Sequence, residues 1–396
     1  MRIFARQLRH SPQTSLVIVL TLTAAIGFNV LSFSFVDAVL LERLPYPQAD
    51  RLYLLWNSPP KIPIPFLPLS DYNVINYAQA SESFESLTAF RIRFRENNRA
   101  MILAGETPEW VDVVMTGASL SRTLQVEPIL GRAFREGEDR AGAPRVALLS
   151  HAFWRLRFEG DRDILGQKIV LNKEPHEIVG VLPPGVYFPV PFQDLGGNFI
   201  GTQAQIIVPL QLEAERPAPF SNRSIVRLKA GVSPDQARSE LEPLARHFAQ
   251  EIFPDPDLDG LTVLLSSLAE GAVGHLRRPL LGLQAAAFLI LFIACVNVAN
   301  LMLSRTVERE RDWAVRTALG ASRKRMLLFV VAEGVVLSLL AAAVGLTAAI
   351  ILRNPVLELT SPYIPHVEGV VVGGKEIAFA LLLGLAAGLL SSLIPA

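Results

Sequence analysis

The hydrophobic positions of this chain are concentrated in four long stretches, which are separated by segments of mixed polarity. Each stretch is at or above the roughly 20 residues that a helix needs to cross the hydrocarbon core of a bilayer. The pattern predicts four transmembrane helices, at 15–41, 280–303, 326–352 and 377–396. Between the first and second stretches lies 42–279, a segment of ordinary globular polarity.

The first stretch has an alternative interpretation as a cleaved signal peptide, because Arg2, Arg6 and Arg9 precede it. The apolar run continues from Leu16 to Phe35, however, whereas the hydrophobic part of a signal peptide spans only about 7–15 residues. No small-x-small cleavage site follows it. We therefore expect an uncleaved membrane anchor.

Basic residues flank the stretches unevenly, and loops rich in lysine and arginine favour the cytoplasm. The connection 304–325 contains a group of them, Arg305, Arg309, Arg311, Arg316, Arg323, Lys324 and Arg325. The connection 353–376 has only Arg353 and Lys375. We expect 1–14 and 304–325 to be cytoplasmic, with 42–279 and 353–376 on the outer side. The last stretch reaches Ala396 with no basic residue after it, so we also expect this chain to be part of a longer protein.

The globular segment alternates short β-branched runs with helical patterns. Predicted strands are 51–56, 111–115, 145–149, 168–171, 177–182, 205–210, 224–228 and 261–265. A helix is predicted from the cap Ser233-Pro234 to about Glu251, with one apolar face formed by Ala237, Leu241, Leu244, Ala245 and Phe248. This pattern indicates an α+β domain, which we expect to have two lobes. Since Cys295 is the only cysteine, no internal disulfide can support it.

Charge and local motifs offer little for catalysis. The 37 basic and 37 acidic residues balance, which gives no indication of a nucleic-acid partner. The run Gly369-Val-Val-Val-Gly-Gly-Lys-Glu376 has the spacing of a phosphate-binding loop but carries Glu where Ser or Thr would hold magnesium. The histidines are scattered singly, and Ser150-His151 lacks a nucleophile elbow. We predict no catalytic, cofactor or metal site.

Polar and small residues inside the apolar stretches carry a different signal, because a polar side chain in hydrocarbon must face another helix or water. Asn29, Gln284, Asn297, Asn300 and Glu333 are such residues. The spacing of Gly384 and Gly388 gives a small-xxx-small face that allows close approach of two helices. We predict that these residues pack helix against helix.

The connection 304–325 predicts an amphipathic helix. Trp313, Ala314, Ala318 and Leu319 fall at helical spacing among dense charges, and Gly320 suits the end of the helix. The alternative is a helix that only connects the two membrane helices and binds lipid head groups. Acidic residues are as prominent here as basic ones, which favours a protein partner over anionic lipid.

A family resemblance begins at this helix. The run Glu310-Arg-Asp-Trp-Ala-Val-Arg-Thr-Ala-Leu-Gly-Ala-Ser322 resembles the E-I-A-V-R-x-A-L-G-A-S signature of FtsX-type permeases, with Asp312-Trp313 in place of Glu-Ile. Upstream, Cys295-Val-Asn-Val-Ala-Asn-Leu301 is similar to the end of that family's second membrane helix.

The globular segment is similar to the MacB-like periplasmic core domain. The similar runs are Leu130-Gly-Arg-Ala-Phe134, Val146-Ala-Leu-Leu-Ser-His-Ala-Phe-Trp154, Ile164-Leu-Gly166 and Ile178-Val-Gly-Val-Leu-Pro-Pro-Gly185. Asn29, Val39-Leu-Leu-Glu-Arg-Leu-Pro-Tyr-Pro47 and Arg51-Leu52 resemble the first half of the duplicated orphan permeases of acidobacteria.

The resemblance implies a multi-pass permease of the bacterial cytoplasmic (inner) membrane with its large domain in the periplasm. Such permeases assemble as a homodimer, or with a second permease unit, within membrane lipid. They bind an ABC ATPase, so that ATP acts only through the partner subunit. The implied ATPase-coupling residues are Arg309, Glu310, Arg311, Asp312, Trp313, Ala314, Val315, Arg316, Ala318, Leu319 and Gly320.

Three functions are compatible with the sequence. The first is a permease for efflux or export that transmits ATP-driven motion to the periplasmic domain. The second is a mechanotransmission regulator or scaffold that acts on envelope partners without transport. The third is a membrane-anchored enzyme, for which a cluster of titratable groups in the globular segment would be needed.

Overall fold

The structure is a computed structural model that describes residues 12–41, 44–64, 66–91, 99–103, 108–140, 142–186, 192–193, 199–200, 204–213, 215, 217, 219–308, 323–360 and 373–393. Its α-helices, in chain order, are α1 (Pro12–Val36), α2 (Asp71–Ala80), α3 (Leu120–Leu124), α4 (His151–Arg157), α5 (Pro234–His247), α6 (Leu268–Glu308), α7 (Arg323–Thr360) and α8 (Gly374–Leu393). Its strands are β1 (Leu52–Ser58), β2 (Phe84–Arg91), β3 (Arg99–Leu103), β4 (Pro108–Thr116), β5 (Leu130–Gly131), β6 (Val146–Leu149), β7 (Lys168–Leu171), β8 (Glu174–Val181), β9 (Phe192–Gln193), β10 (Phe199–Ile200), β11 (Ile206–Pro209), β12 (Arg223–Leu228) and β13 (Thr262–Ser267).

The chain divides into two compact units. One comprises Met1–Glu42 and His275–Ala396, and the other comprises Arg43–Gly274. We call them the membrane unit and the globular unit.

Helices α1, α6, α7 and α8 supply segments that are long and apolar enough to cross a membrane. These are Gln13–Leu41, Leu276–Thr306, Leu327–Leu357 and Gly374–Ser392, where α1 is prolonged by the π-helical turn Asp37–Leu41. They fall on the four predicted stretches. Helix α6 starts at Leu268 rather than at 280 and continues to Glu308, because helical hydrogen bonding extends past the apolar positions that define the pattern.

The globular unit is built on an eleven-stranded mixed sheet. Neighbouring strands follow the order β11-β6-β8-β7-β3-β4-β2-β12-β1-β13, with β5 paired to β8. Strand β11 also pairs in parallel with β4, where Ile206 lies opposite Val113. Six strands therefore close into a ring (β4, β11, β6, β8, β7 and β3), and β2, β12, β1 and β13 extend from it.

Side chains alternate between the two faces of this sheet and feed separate hydrophobic clusters. Phe153 and Trp154 of α4 pack with Ile178 and other residues of the ring strands. Helices α2 and α5 pack on the extension, in a cluster that contains Leu55 and Val226. A third hydrophobic cluster contains side chains from both the ring strands and the extending strands. The expected α+β class is confirmed, and the two lobes share one sheet.

All eight predicted strands are present, but the sequence pattern missed β2. Its residues include Ser86 and Thr88, which are buried although they are polar. The hydroxyl of Ser86 lies 2.7 Å from that of Thr123, and the hydroxyl of Thr88 lies 3.2 Å from that of Thr116. These hydrogen bonds satisfy the buried hydroxyl groups, so polar residues can occupy buried positions in β2. The strand therefore lacks the continuous hydrophobic run by which a buried strand is predicted from sequence.

The predicted helix after Ser233 is confirmed as α5. The Ser233 hydroxyl accepts a hydrogen bond from the Gln236 amide, and proline occupies the first turn. Ala237, Leu241, Ala245 and Phe248 are buried, the last in a π-helical turn that continues the helix. The apolar face thus packs on the sheet as its spacing indicates.

Two glycines of the motifs quoted above face each other. Gly131 of β5 pairs with Gly180 of β8. The backbone of Gly131 has φ +76°, and a Cβ atom there would lie 2.9 Å from the Cα of Gly180. A Cβ on Gly180 would lie 2.5 Å from the carbonyl oxygen of Arg132. Only glycine permits this approach of two strands, which gives the two motifs a common physical reason.

Candidate functional site in the membrane helices

Helix α1 crosses α7 at two glycines. A Cβ atom on Gly345 would lie 2.9 Å from the carbonyl oxygen of Thr23 and 3.0 Å from the amide nitrogen of Gly27. The Thr23 hydroxyl donates to the carbonyl of Ala341 at 3.3 Å. Backbone therefore meets backbone at this crossing, as small residues at helix interfaces allow.

Helix α8 packs on another face of α7 through the predicted glycine pair. A Cβ atom on Gly384 would lie 2.9 Å from the Cβ of Ala342, and one on Gly388 would lie 2.7 Å from the Cα of Val335. The structure thus places Gly384 and Gly388 in a helix contact, which is the role that the sequence suggests for them.

Helix α7 has small residues on two faces, and sequence reasoning missed both. Gly334, Ser338 and Ala342 face α8, while Ala341 and Gly345 face α1. In each set the residues recur every fourth position, which is the spacing of one helix face. The recurrence of small residues at every fourth position is the sequence signal that could have identified these two faces.

A buried ion pair lies near the ends of three membrane helices. The Arg305 guanidinium of α6 is 3.5 Å from the Glu333 carboxylate of α7, with side-chain exposures of 6% and 13%. The same guanidinium donates to the Ser15 hydroxyl of α1 at 2.7 Å. We call Ser15, Arg305 and Glu333 the arginine cluster. Arg305 falls in the predicted loop 304–325, whereas in the structure it belongs to α6 and its side chain is buried.

A second polar group joins α1 to α6. The side-chain amide of Asn29, which is fully buried, donates to the carbonyls of Ala25 at 2.9 Å and Ala287 at 2.7 Å. Gln284 donates to the Asn29 side-chain oxygen at 3.2 Å. Each of these amides faces another helix rather than lipid, as their position in hydrocarbon requires.

The side chains of Asn297 and Asn300 are exposed, so the predicted helix packing of these two residues is not made with the other described helices of this chain. Ala294, Cys295, Val298 and Met302 form the buried face of α6. With 3.6 residues per turn, positions 297 and 300 lie on a different side of α6 from that buried face.

Near the start of α8, Lys375 donates to both carboxylate oxygens of Asp37 at 2.9 Å. The Glu376 carboxylate accepts a hydrogen bond from the Gly373 amide at 2.7 Å. These residues end the run that has the spacing of a phosphate-binding loop. Glu376 thus caps a membrane helix, which explains a carboxylate at that position.

The predicted ATPase-coupling residues lie outside the described residues. They are Arg309, Glu310, Arg311, Asp312, Trp313, Ala314, Val315, Arg316, Ala318, Leu319 and Gly320. The structure describes the helices on both sides of them, α6 up to Glu308 and α7 from Arg323.

A buried cation in the globular unit was not found from the sequence. Arg227 of β12 is fully buried and donates to three main-chain carbonyls, of Thr123 at 2.7 Å, Pro47 at 3.0 Å and Gln48 at 3.4 Å. Burial lowers the pKa of its guanidinium, which the Glu85 carboxylate opposes. Arg227 therefore fastens the segment before β1 to the sheet.

Within the described ranges, no group of three or more His, Cys, Asp and Glu residues could hold a metal ion. The hydroxyl of Ser150 accepts from the Phe153 amide at 3.3 Å and caps α4.

Comparison with known sequences agrees with this architecture. The profile of the MacB-like periplasmic core domain matches residues 15–244, more than half of the chain, and that of the FtsX-like permease C-terminal region matches residues 285–396. The chain belongs to the MacB/FtsX family of ABC-type permeases.

Curated relatives of this MacB/FtsX permease include the macrolide export ATP-binding/permease protein MacB of Salmonella typhi. It is 27% identical over 233 residues, which are 55% of this chain and 33% of MacB. The uncharacterized ABC transporter permease YknZ of Bacillus subtilis is 25% identical over 255 residues, which are 63% of this chain and 59% of YknZ. The chain therefore spans about a third of MacB and less than two thirds of YknZ.

Solved structures that are similar to part of this permease include two domains of such proteins. The extracellular domain of YknZ, a noncanonic ABC-type transporter from Gram-positive bacteria, has 14% identity and a TM-score of 0.37, covering 54% of this chain and 99% of that domain. The periplasmic region of MacB from Actinobacillus actinomycetemcomitans has 13% identity and a TM-score of 0.37, covering 58% of this chain and 92% of that region.

Proposed function

We propose that this permease transmits ATP-driven motion from a partner ABC ATPase to its globular unit, and that the transmitted motion serves export. The ATPase binds the segment that contains Arg309 to Gly320. ATP acts through the partner, and this chain contributes no catalytic residue. The inner membrane of a bacterium is the site of action, with the globular unit in the periplasm.

The observation that carries the proposal is the continuity of α6. This helix has 41 residues and runs from Leu268, directly after β13, to Glu308. At 1.5 Å per residue it is about 60 Å long. Its first residue is buried in the core of the globular unit, and its last lies one residue before the coupling segment. One helix, which contains Pro279, therefore runs along the chain from the end of the last strand to the predicted ATPase-binding segment.

The strand order supports the same role. Strands β1 and β13 are antiparallel neighbours, with Tyr53 opposite Ser267. They are the first and last strands of the globular unit, so the chain enters and leaves the sheet at adjacent strands. Force that arrives through α1 or α6 would act on the same edge of the sheet.

Export is the direction that the relatives favour. MacB of Salmonella typhi is named for macrolide export, and it carries ATP-binding and permease functions in one protein. Outward orientation of the globular unit also agrees with the basic residues at 309–325 and near the N-terminus. A scaffold or regulator without transport is the alternative if no ATPase binds.

The proposal is tested by recovering the full-length permease from its native membrane and identifying the proteins that accompany it. The wild type should bring down an ABC ATPase, and Arg311→Glu with Arg316→Glu should lose it. The matched control is Arg155→Glu with Arg162→Glu, which reverses two exposed charges in the globular unit. The control should retain the ATPase.

Loss of the ATPase in both double variants would show that net charge, rather than the coupling segment, determines recovery. If the wild type recovers no ATPase, the ATP-coupled function fails and the scaffold role becomes the better account.

A further inference from the structure

The arginine cluster lies next to the segment that the proposed function assigns to ATPase binding. Arg305 precedes the last described residue of α6, Glu308, by less than one helical turn. Any displacement of the adjoining segment therefore reaches the Arg305 backbone almost directly.

The cluster ties the end of α6 to both neighbouring helices. The guanidinium reaches the Ser15 hydroxyl near the start of α1 and the Glu333 carboxylate in α7. Ser15 and Arg305 are each about 95% buried, with exposures of 6% and 5%. Three helices thus share one charged contact at this end of the membrane unit.

A buried charged contact couples the displacement of one helix to that of its neighbour more firmly than an apolar contact does. Lipid tails are as apolar as leucine, so membrane helices are held together by close packing and polar contacts rather than by the hydrophobic effect. Removing one partner from a buried ion pair is strongly unfavourable, because it leaves an uncompensated charge. When α6 moves, either α1 and α7 follow at the cluster, or the contacts of the guanidinium with Ser15 and Glu333 are broken.

We propose that Arg305 is the positioning residue that passes movement of the coupling segment from α6 to α1 and α7. Along the chain, α1 precedes β1, so this contact gives the globular unit a second mechanical input beside α6. The inference rests on the proposed function, since it needs an ATPase that moves the coupling segment.

The test uses the full-length permease together with the ATPase recovered with it. Cys295 is replaced by serine, which leaves the chain without cysteine, and Leu16→Cys is labelled with an environment-sensitive fluorophore. Leu16 is 59% exposed and adjoins Ser15, so the label reports movement of α1 at the cluster. The signal is the fluorescence change on adding a non-hydrolysable ATP analogue.

The diagnostic variant is Arg305→Gln with Glu333→Gln, which removes both charges and leaves no unpaired ion. It should still recover the ATPase but lose the nucleotide-dependent fluorescence change. The matched control is Asp37→Asn with Lys375→Gln, which neutralises another ion pair of the membrane unit. The control should keep the change at its wild-type amplitude.

A wild-type response in the Arg305→Gln, Glu333→Gln variant would overturn the inference while leaving the proposed function intact. Absence of the ATPase from the wild-type sample would instead be a failure of the proposed function. If the double variant does not fold, Ser15→Ala removes only the α1 contact and keeps the pair between α6 and α7. Ser15→Ala should also lose the response, and a full response from it would equally overturn the inference.

Discussion

Replacing Gly345 with alanine tests the close backbone approach between helices α1 and α7. The new Cβ would lie 2.9 Å from the Thr23 carbonyl oxygen and 3.0 Å from the Gly27 amide nitrogen. Both are backbone atoms, so no side chain can rotate away. Helices α1 and α7 must separate by about 0.5 Å, and a gap of that size forfeits about a quarter of the van der Waals attraction between facing atoms.

The magnitude follows from two opposing terms. Overpacking of this kind costs about 1–3 kcal/mol. Alanine stabilises a helix interior by about 1 kcal/mol relative to glycine. Gly282→Ala in α6 isolates the second term, because a Cβ there meets no atom within 4 Å. The difference in free energy of unfolding between the two variants should therefore be about 2 kcal/mol, with Gly345→Ala the less stable.

The chain carries its own reporter for this measurement. Cys295 is the only cysteine and is 4% exposed within the membrane-unit core, so its thiol becomes reactive when the helices separate. A fluorogenic maleimide added during thermal unfolding in detergent gives the Tm of each variant. For a unit of roughly 160 residues, 2 kcal/mol corresponds to about 4–8 °C in Tm. Equal Tm values for Gly345→Ala and Gly282→Ala would refute the close crossing of α1 and α7.

Two further predictions concern the globular unit. Arg227→Met leaves the carbonyls of Thr123 and Pro47 without this donor, which should cost about 3 kcal/mol and speed hydrogen exchange in residues 48–51. The Gln48 carbonyl still accepts from the Arg51 amide at 3.0 Å. The exposed Arg238→Met should not change that exchange, and equal rates in the two variants would show that Arg227 does not hold the segment. Burial lowers the pKa of His176, so the unfolded chain binds more protons than the folded chain, and stability should fall as pH drops through about 6.5. His176→Gln should show a smaller loss of Tm between about pH 7.5 and about pH 5.5 than the wild type, and an unchanged loss would contradict this assignment.

The membrane helices, most of the longer strands and the helix after Ser233 could be predicted from patterns within a few neighbouring residues. An apolar stretch of about 20 residues identifies a membrane helix wherever its partners lie, because the bilayer itself is the partner. Strands and the helix after Ser233 follow from alternation, spacing and caps within a few residues. The glycine spacing at Gly384 and Gly388 is local in the same way, and the structure places both residues in a helix contact.

Contacts between distant positions could not be predicted in this way. Arg305 reads as one more basic residue of a cytoplasmic loop, and only the folded bundle brings it to Glu333 and Ser15. Asn297 and Asn300 read as packing residues, but the rotation of α6 leaves them exposed. That rotation is set by which side of α6 meets the other helices, and the sequence of α6 does not specify this.

The sequence by itself thus determined the membrane spans, the class of the globular unit and the segment that resembles an ATPase-coupling helix. Hydrophobic periodicity and short motifs carry this information along the chain. Only the tertiary structure decided that the sheet closes into a ring through β4 and β11, that α1 meets α7 at two glycines, and that Arg227 and Arg305 are buried. Each of these depends on residues that are far apart in the chain, where pairing is selected by packing and by the need to satisfy buried polar groups.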